Sequence, residues 1–378
     1  MWHVLSFSGI ALISLLFAPQ PALAQTAHQD LEETVRAEVV SVEKEYDREI
    51  VGTDSSVHVQ ELRVTVKEGA RAGDIVDLTS EIVQLSVGDT IYVHRTVDIE
   101  GVEYFTFADF ERRPVLFFVA ILFAVILLVF SQWQGLRALI SLGVSVAAIL
   151  FLLVPALLAG YDATLTTIGV AAAVLAISLF GTHGINPRSV IAFGGTYATV
   201  IVTGLIAYFA VAHMRLSGLN DDAAVYLNFA TNGELDLAGL LLGSIIVGIL
   251  GALDDVSITQ VSIVQELKNA NPKFKFRELY ARAAVVGRNH IGSMVNTLAL
   301  AYASVSLPLI LLYAKTESQW WLSLNQEVVA SELLRIVVGS IGLVLAVPAT
   351  TAVAAWFFQD RVVLEEDLDE HDHGHHHG

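Results

Sequence analysis

Long uninterrupted blocks of apolar residues occupy most of the chain between residues 115 and 358. Several of these blocks reach the roughly 20 residues that an α-helix needs to cross a hydrocarbon core about 30 Å thick. Only 16% of the 378 residues are charged and 54% are hydrophobic, whereas about 25% are charged in an ordinary soluble domain. A single soluble globule is therefore excluded, and the sequence predicts an α-helical polytopic membrane bundle.

The formal net charge of −18 belongs to the two ends of the chain. Residues 26–113 carry −11 and the last 20 residues carry −6, so the apolar region is nearly neutral. Neither polar end offers the basic surface that phosphate contacts require, so nucleic acid is not expected as a partner. The chain has no cysteine, which excludes disulfides, thiolate metal sites and cysteine nucleophiles.

The N-terminus has the pattern of an export signal. Residues 4–18 form a short apolar run, and the small-residue sequence Ala22-Leu23-Ala24 follows two prolines. This pattern predicts a signal peptide over residues 1–24, cleaved after Ala24. An uncleaved anchor is the alternative, because the first three residues contain no Lys or Arg. Either outcome places the following segment outside the cytoplasm.

Residues 25–113 alternate between apolar and polar side chains, as in Leu62, Val64 and Val66, with turn signals at Glu68-Gly69 and Glu100-Gly101. This period of two indicates strands. About five strands in some 80 residues predict a small closed β barrel of OB-like kind. We interpret it as an extracytoplasmic structural domain, with ligand or partner binding as the alternative.

Residues 114–358 are predicted to contain seven transmembrane helices, at 115–131, 136–158, 163–181, 189–213, 235–256, 291–313 and 332–358. With the β domain outside, nine loop Lys and Arg residues fall on the inner side and three on the outer side. This asymmetry agrees with the positive-inside rule and places the C-terminus in the cytoplasm. The fifth span is predicted to continue as an amphipathic helix to about Asn271-Pro272, and another helix is predicted to begin near Phe276.

The fifth span has small and polar residues on one helical face, at Ser244, Gly248, Gly251, Asp255 and Thr259. Ser244, Gly248 and Gly251 are predicted to let another helix approach closely. Asp254 lies about 100° around the helix from Asp255. We therefore expect Asp255, rather than Asp254, to point into the bundle.

The sixth span begins with a polar ridge of amide, imidazole and hydroxyl side chains, formed by Asn289, His290, Ser293, Asn296 and Thr297. These groups, with the carboxylates, can bind a cation or relay a proton inside a membrane. We hypothesise that the ridge faces Asp255 and that the two line a path for a substrate or ion, with Asp254 and Thr259 beside it. The alternative is that both are hydrated groups at the inner headgroup level.

The tail, residues 359–378, is acidic and rich in histidine. Its imidazoles, His371, His373, His375, His376 and His377, suit a divalent metal such as zinc, nickel or copper. Adventitious binding is the alternative, and no other cofactor is expected. His183 lies in a predicted short inner loop and is interpreted as a loop residue.

Several motifs resemble the YibE/F family of bacterial membrane proteins. They are Gly251-Ala252-Leu253-Asp254-Asp255-Val256, Asn271-Pro272, Gly287-Arg288-Asn289-His290-Ile291-Gly292, Asn296-Thr297-Leu298-Ala299-Leu300-Ala301-Tyr302 and Ser306-Leu307-Pro308. The family's Asp before Val corresponds to Asp255, and its Asn-Thr pair to Asn296 and Thr297. Many members have Asp after Gly-Arg where this chain has Asn289. The resemblance implies a multi-pass protein of the bacterial inner membrane, of permease type, and implies no particular substrate.

Three classes of function follow. A transporter for a cation or small solute agrees best with paired polar faces in apolar helices, and its partners would be lipid and that solute. A non-transporting assembly or sensing protein, homo-oligomeric or bound to another membrane protein through the β domain, is the alternative. An enzyme is not expected, because Asp254 and Asp255 diverge and nucleotide-binding loops are missing.

Overall fold

A computed structural model describes residues 33–49, 56–81, 83–97, 102–315 and 320–360. The chain divides into two compact units, residues 1–122 and 123–378. The predicted signal peptide and the histidine-rich tail from residue 361 onward lie outside the described residues.

The first unit contains a five-stranded closed barrel. Its strands are β1 (Glu33–Glu49), β2 (Ser56–Val66), β3 (Ile75–Ser80), β4 (Thr90–Val97) and β5 (Glu103–Phe110). They close in the order β1-β2-β3-β5-β4, and only the β3–β5 pair is parallel. The predicted small barrel is therefore confirmed, with its five strands closed in OB-like fashion.

The barrel core follows from the alternation in the sequence. Leu62, Val64 and Val66 on β2 and Ile91 and Val93 on β4 are almost completely buried. Their polar neighbours point outward because successive strand residues face opposite sides of a sheet. The apolar side chains thus fill a barrel interior that is too small for a channel.

An ion-pair group joins strands at one side of the barrel. Glu103 accepts hydrogen bonds from Arg95 Nη2 at 2.6 Å and from Arg71 Nη1 at 2.5 Å. Chiefly through the hydrogen bond from Arg95, these guanidinium groups hold the pKa of the Glu103 carboxyl below its usual range. Because the folded-state pKa is the lower one, the pairing stabilises the barrel above the unfolded-state pKa, about 4.3. That stability is lost as the pH falls through the folded value.

We expect a fragment spanning residues 25–113 to unfold at a lower temperature at pH about 3 than at pH about 6, as followed by far-ultraviolet circular dichroism. The Glu103→Gln fragment should be less stable than the parent fragment at the higher pH. Its unfolding temperature should also fall less between the two pH values. Glu61→Gln is the control, because among the described residues Glu61 pairs with the exposed Lys44 and such pairs contribute little. An unfolding temperature independent of pH in the parent fragment would contradict this assignment.

The second unit is helical, with the first helix beginning just before it. The helices are α1 (Arg113–Ala148), followed by a π-helical turn (Ile149–Leu153), α2 (Val154–Leu158), α3 (Ala163–His183), α4 (Pro187–Met214), α5 (Asp222–Ala230), α6 (Leu237–Ala270), α7 (Phe276–Val305), α8 (Leu307–Lys315), α9 (Trp320–Leu324) and α10 (Glu327–Phe358). The predicted continuation of the fifth span and the new helix at Phe276 are both confirmed.

Helix α6 is the centre of the bundle, since α3, α4, α7 and α10 all pack against it. Its 34 residues extend about 51 Å, and Ile245, Ile246, Ile249 and Leu253 are fully buried. Polar contacts also reach it from α10: Thr350 Oγ1 donates to Ser257 Oγ at 3.1 Å and Thr351 Oγ1 donates to Gln260 Oε1 at 3.0 Å. The sides of α6 that these helices cover are shielded from solvent, whereas Asp255 and Thr259 lie on an exposed side.

Helix α1 is not straight. Gln132 has φ 46° and ψ −128°, which interrupts the helix. A Cβ built on Gly135 would contact the backbone oxygen of Leu127, eight residues earlier, although eight residues of straight helix rise about 12 Å. The chain therefore turns sharply at Gln132, and the two arms of α1 lie side by side at the turn.

The expected count of seven spans is not confirmed. Among the described residues, five helices are long and apolar enough to cross a membrane, or six if α7 and α8 form one span bent by 64°. The predicted spans 115–131 and 136–158 fall within a single 46-residue helical stretch. The break after Val305 precedes Pro308, which lacks a backbone donor and disfavours helix before it.

The loop between α6 and α7 is fixed by a buried lysine. Lys268 is almost fully buried, and its Nζ donates to the carbonyl oxygens of Pro272 at 2.7 Å, Phe274 at 3.0 Å and Gln359 at 2.8 Å. One ammonium thus joins the loop to the C-terminal end of α10 and uses all three of its donors.

We expect Lys268→Met to lower the unfolding temperature of the detergent-purified protein by roughly 5–10 °C, because three carbonyls lose a charged donor. Lys273→Met, at the third residue of the loop and exposed, is the matched control and should unfold like the parent. Thermal unfolding by tryptophan fluorescence measures both. Equal unfolding temperatures for the two variants would rule out the proposed role of Lys268.

Candidate functional site: a carboxylate cavity beside the central helix

Helices α1, α3 and α6 line a partly open cavity of about 440 Å³. Its walls combine apolar side chains with a group of polar side chains. The polar ones are Ser141, Ser145, Ser178, Thr182, His183, Asp254 and Asp255. No Lys or Arg is among the described residues that line it, so its ionisable side chains are two carboxylates and one imidazole.

Asp254 is the most enclosed ionisable group of this cavity. Asp254 is only 8% exposed, and its Oδ2 accepts a hydrogen bond from Ser178 Oγ of α3 at 2.5 Å. Its Oδ1 is buried and has no hydrogen-bond partner among the described residues. A buried carboxylate with an unpartnered oxygen is stabilised by a proton or a cation.

The prediction that Asp255 rather than Asp254 points into the bundle is wrong. Asp254 is buried and Asp255 is exposed. The physical reason is that the apolar line of α6, which includes Leu250 and Leu253, packs against its neighbours, and Asp254 continues this line. Small residues on the other face indicated a close helix contact, yet burial follows the larger apolar surface.

Asp255 and His183 both line the polar part of the cavity. His183 is half-buried and is the last residue of α3 rather than a loop residue. A carboxylate and an imidazole in one cavity can pass a proton or hold a cation.

The α1 wall contributes two serines four residues apart, which places them on one helical face. Ser141 Oγ donates to the backbone oxygen of Ile177 on α3 at 3.3 Å. Ser145 Oγ is buried and unpartnered among the described residues. A Cβ on Gly181 would overlap Ser141 Oγ, so α1 and α3 approach closely here. Small residues thus make both the helix contact and the polar wall.

Apolar side chains complete the cavity. Phe123 and Leu127 come from the first arm of α1, Ile149 from the π-helical turn, and Val247 and Leu250 from α6. Electrostatic interactions are stronger in such low-dielectric surroundings than in water. The turn at Gln132 lets both arms of α1 contribute to the same wall.

The polar ridge on α7 does not line the carboxylate cavity that contains Asp255. Its five members are all exposed: Asn289, His290, Ser293, Asn296 and Thr297. None of these described residues lines the carboxylate cavity. The apolar side of α7, including Ile291, Val295 and Leu298, packs against the core instead, because that contact removes more apolar surface from the solvent. Thr259 on α6 is exposed and also lies outside the cavity lining.

The three small residues of α6 have different surroundings. Gly248 lies against α7, where an added Cβ would overlap the hydroxyl of Tyr302. Ser244 Oγ accepts a hydrogen bond from Arg335 Nη2 of α10 at 3.1 Å. Gly251 has no atom within 4 Å of an added Cβ among the described residues and lines the carboxylate cavity. The stripe is therefore a helix contact at one end and a cavity wall at the other.

Within the described part of the chain, no three His, Asp or Glu side chains converge to hold a metal ion. Asp254, Asp255 and His183 are therefore not a three-ligand metal centre. The tail histidines, from His371 to His377, lie outside the described residues, and their metal binding stays a prediction.

A model of the YibE/F-like protein family matches residues 119–360. The chain belongs to the YibE/F family. Every motif that carries the resemblance lies inside the match, as do all the cavity residues, whereas the barrel precedes it. Searches of curated proteins and of solved structures returned no match. The carboxylate cavity is thus a feature of the family region of this chain.

Sequence reasoning missed the partners of Asp254 in this YibE/F chain. Ser178 and Thr182 are four residues apart on α3, and Ser141 and Ser145 repeat that spacing on α1. Pairs of hydroxyls at helical spacing in two apolar spans are the available signal. The pattern does not indicate which two helices pack against each other.

We expect Gly248→Ala to destabilise the detergent-purified protein by roughly 1–3 kcal/mol, because the new methyl overlaps the Tyr302 hydroxyl. Tyr302→Phe removes that hydroxyl, so the double variant should recover most of the lost stability. Thermal unfolding of the parent, both single variants and the double variant measures the coupling. A double variant no more stable than Gly248→Ala would contradict the close contact.

Proposed function

We propose that this chain is a membrane transporter for a cation, and that the cavity around Asp254, Asp255 and His183 binds it. The observation that supports this proposal is the burial of the Asp254 carboxylate in an apolar bundle, with one oxygen unpartnered among the described residues. Ionisable groups at such positions are costly and mark ion or proton paths in membrane proteins.

The chemistry of the walls supports a cation over an anion or a neutral solute. Two carboxylates and four hydroxyls supply oxygen ligands, and no described residue of the lining is a Lys or Arg that would attract an anion. A proton or a monovalent cation agrees best with this set, since a divalent metal site usually gathers more charged ligands.

Asp255 and His183 would serve as the entry pair of the path. Asp255 is exposed and Asp254 is buried on the same helix, so an ion or proton would pass from the accessible carboxylate to the enclosed one. Imidazole changes protonation near neutral pH, which suits His183 to accept or release a proton beside Asp255.

The chain would lie in the bacterial inner membrane with seven spans, the barrel outside and the C-terminus in the cytoplasm. The turn at Gln132 supports counting the two arms of α1 separately. Counting α7 and α8 as one bent span then gives seven. The excess of Lys and Arg in the predicted inner loops supports this orientation.

Flux through reconstituted protein tests the proposal. Proteoliposomes containing the pH indicator pyranine are exposed in turn to inward gradients of H⁺, Na⁺ and K⁺, and the internal pH is recorded with and without a counter-ion ionophore. We expect protein-dependent flux that Asp254→Asn reduces at least tenfold and that Asp255→Asn and His183→Gln also reduce. Removing a charge from the path removes the group that replaces the ion's hydration.

Matched controls come from outside the cavity. Asp222→Asn changes an exposed carboxylate of α5, and His213→Gln changes an exposed histidine of α4. Both should retain the parental flux. Parental flux in Asp254→Asn, or equal losses in the control variants, would refute the assigned site. Vesicles with the parent protein that behave like empty vesicles for all three ions would refute cation transport.

A further inference from the structure

Helix α7 presents amide and hydroxyl side chains on its outward face. Asn289, Ser293 and Asn296 are exposed, whereas Gly287 and Leu298 on the opposite face are buried in the bundle. No described residue hydrogen bonds to the side chain of Asn289 or Asn296. The outward face therefore has unused donors and acceptors.

This face lies in a stretch suited to the membrane. Residues 289–314 contain no Asp, Glu, Lys or Arg, and α7 with α8 is long and apolar enough to form one bent span. Asn296 lies about 10 Å farther along the helix than Asn289. Amide groups facing hydrocarbon lose their hydrogen bonds to water. Lipid cannot satisfy these amides, and they do not line the carboxylate cavity, so a protein surface is the partner that fits this face.

The spacing on this face is that of a helix–helix seam. Val286, Asn289, Ser293, Asn296 and Leu300 follow one another at steps of three, four, three and four residues. This mean period of 3.5 keeps one side of a helix against a partner helix in a left-handed pair. All five are exposed, Val286 at 37% and Leu300 at 61%. Ser293, between the two asparagines, is small enough for close approach.

We propose that this seam, residues 286–300 of α7, joins two copies of the chain about a two-fold axis normal to the membrane. Copies of one chain insert with the same orientation, so the two α7 helices run parallel and each asparagine meets its own counterpart. An amide both donates and accepts hydrogen bonds, which makes an Asn–Asn pair self-complementary as a two-fold interface requires. The seam carries no formal charge that would repel a second copy.

Single cysteines test the seam directly, because the chain has none of its own. Ser293→Cys, Asn296→Cys and Leu300→Cys are oxidised with copper phenanthroline in native membranes. Leu205→Cys is the control, since Leu205 is a 53% exposed residue of α4. We expect a product of twice the monomer mass from the three seam positions and none from the control. No product at the seam, equal product at Leu205→Cys, or a product with a different protein would overturn the proposal.

A second measurement keeps the test independent of cysteine chemistry. Asn296→Leu should reduce the dimer association constant in detergent roughly tenfold, measured by light scattering after gel filtration. Asn228→Leu, a change in the separate helix α5, should leave it unchanged. Asn296→Leu lies on an exposed position and replaces a polar group by an apolar one, so the monomer should stay folded. An unchanged association constant would overturn the seam, while the flux assay decides the transport proposal separately.

Discussion

The buried carboxylate of Asp254 constrains the helical unit more than any other single group. A charge held in an apolar bundle costs free energy unless a partner or a counter-ion offsets it. The residues around Asp254 are small or carry hydroxyl groups. Ser178 donates a hydrogen bond to Asp254, and Ser141, Ser145 and Gly251 leave space beside it. Larger residues at these positions would fill the cavity and leave the carboxylate without access to any cation.

The central position of α6 follows from the same constraint. A carboxylate can be enclosed only on a helix that has neighbours on several sides, and α6 is packed by four helices. The break in α1 contributes to this enclosure, since Phe123 and Leu127 reach the cavity only because the chain turns at Gln132. The fold thus places a costly group where the most protein surrounds it.

Much of the fold could be predicted from the sequence, because it depends on local periodicity. The alternation in Leu62, Val64 and Val66 predicts the barrel strands, and the proline after Asn271 predicts the end of α6. Family membership follows from the motifs around Asp255, Asn289 and Asn296, and the family match covers residues 119–360. These features need no knowledge of which helices touch.

The site was predicted less well, because it depends on which faces meet. A stripe of small residues suggested that Asp255 faces inward, whereas the apolar line through Leu250 sets the orientation of α6 and buries Asp254. The ridge around Asn296 was assigned to the same site because both patterns are polar. Helical spacing identifies a face and does not identify its neighbour.

The cavity and the seam of α7 therefore have separate physical roles. The cavity walls come from α1, α3 and α6, and the seam lies on α7. In the proposed dimer each copy keeps a complete cavity, so ion passage would occur within a protomer rather than along the two-fold axis. The side chains also differ accordingly: carboxylates and an imidazole, which can change charge, occupy the cavity, whereas neutral amides occupy the seam. A neutral amide can be held against a second copy without a counter-ion, whereas Asp254 needs a proton or a cation. This difference in charge distinguishes the surface suited to assembly from the cavity suited to transport.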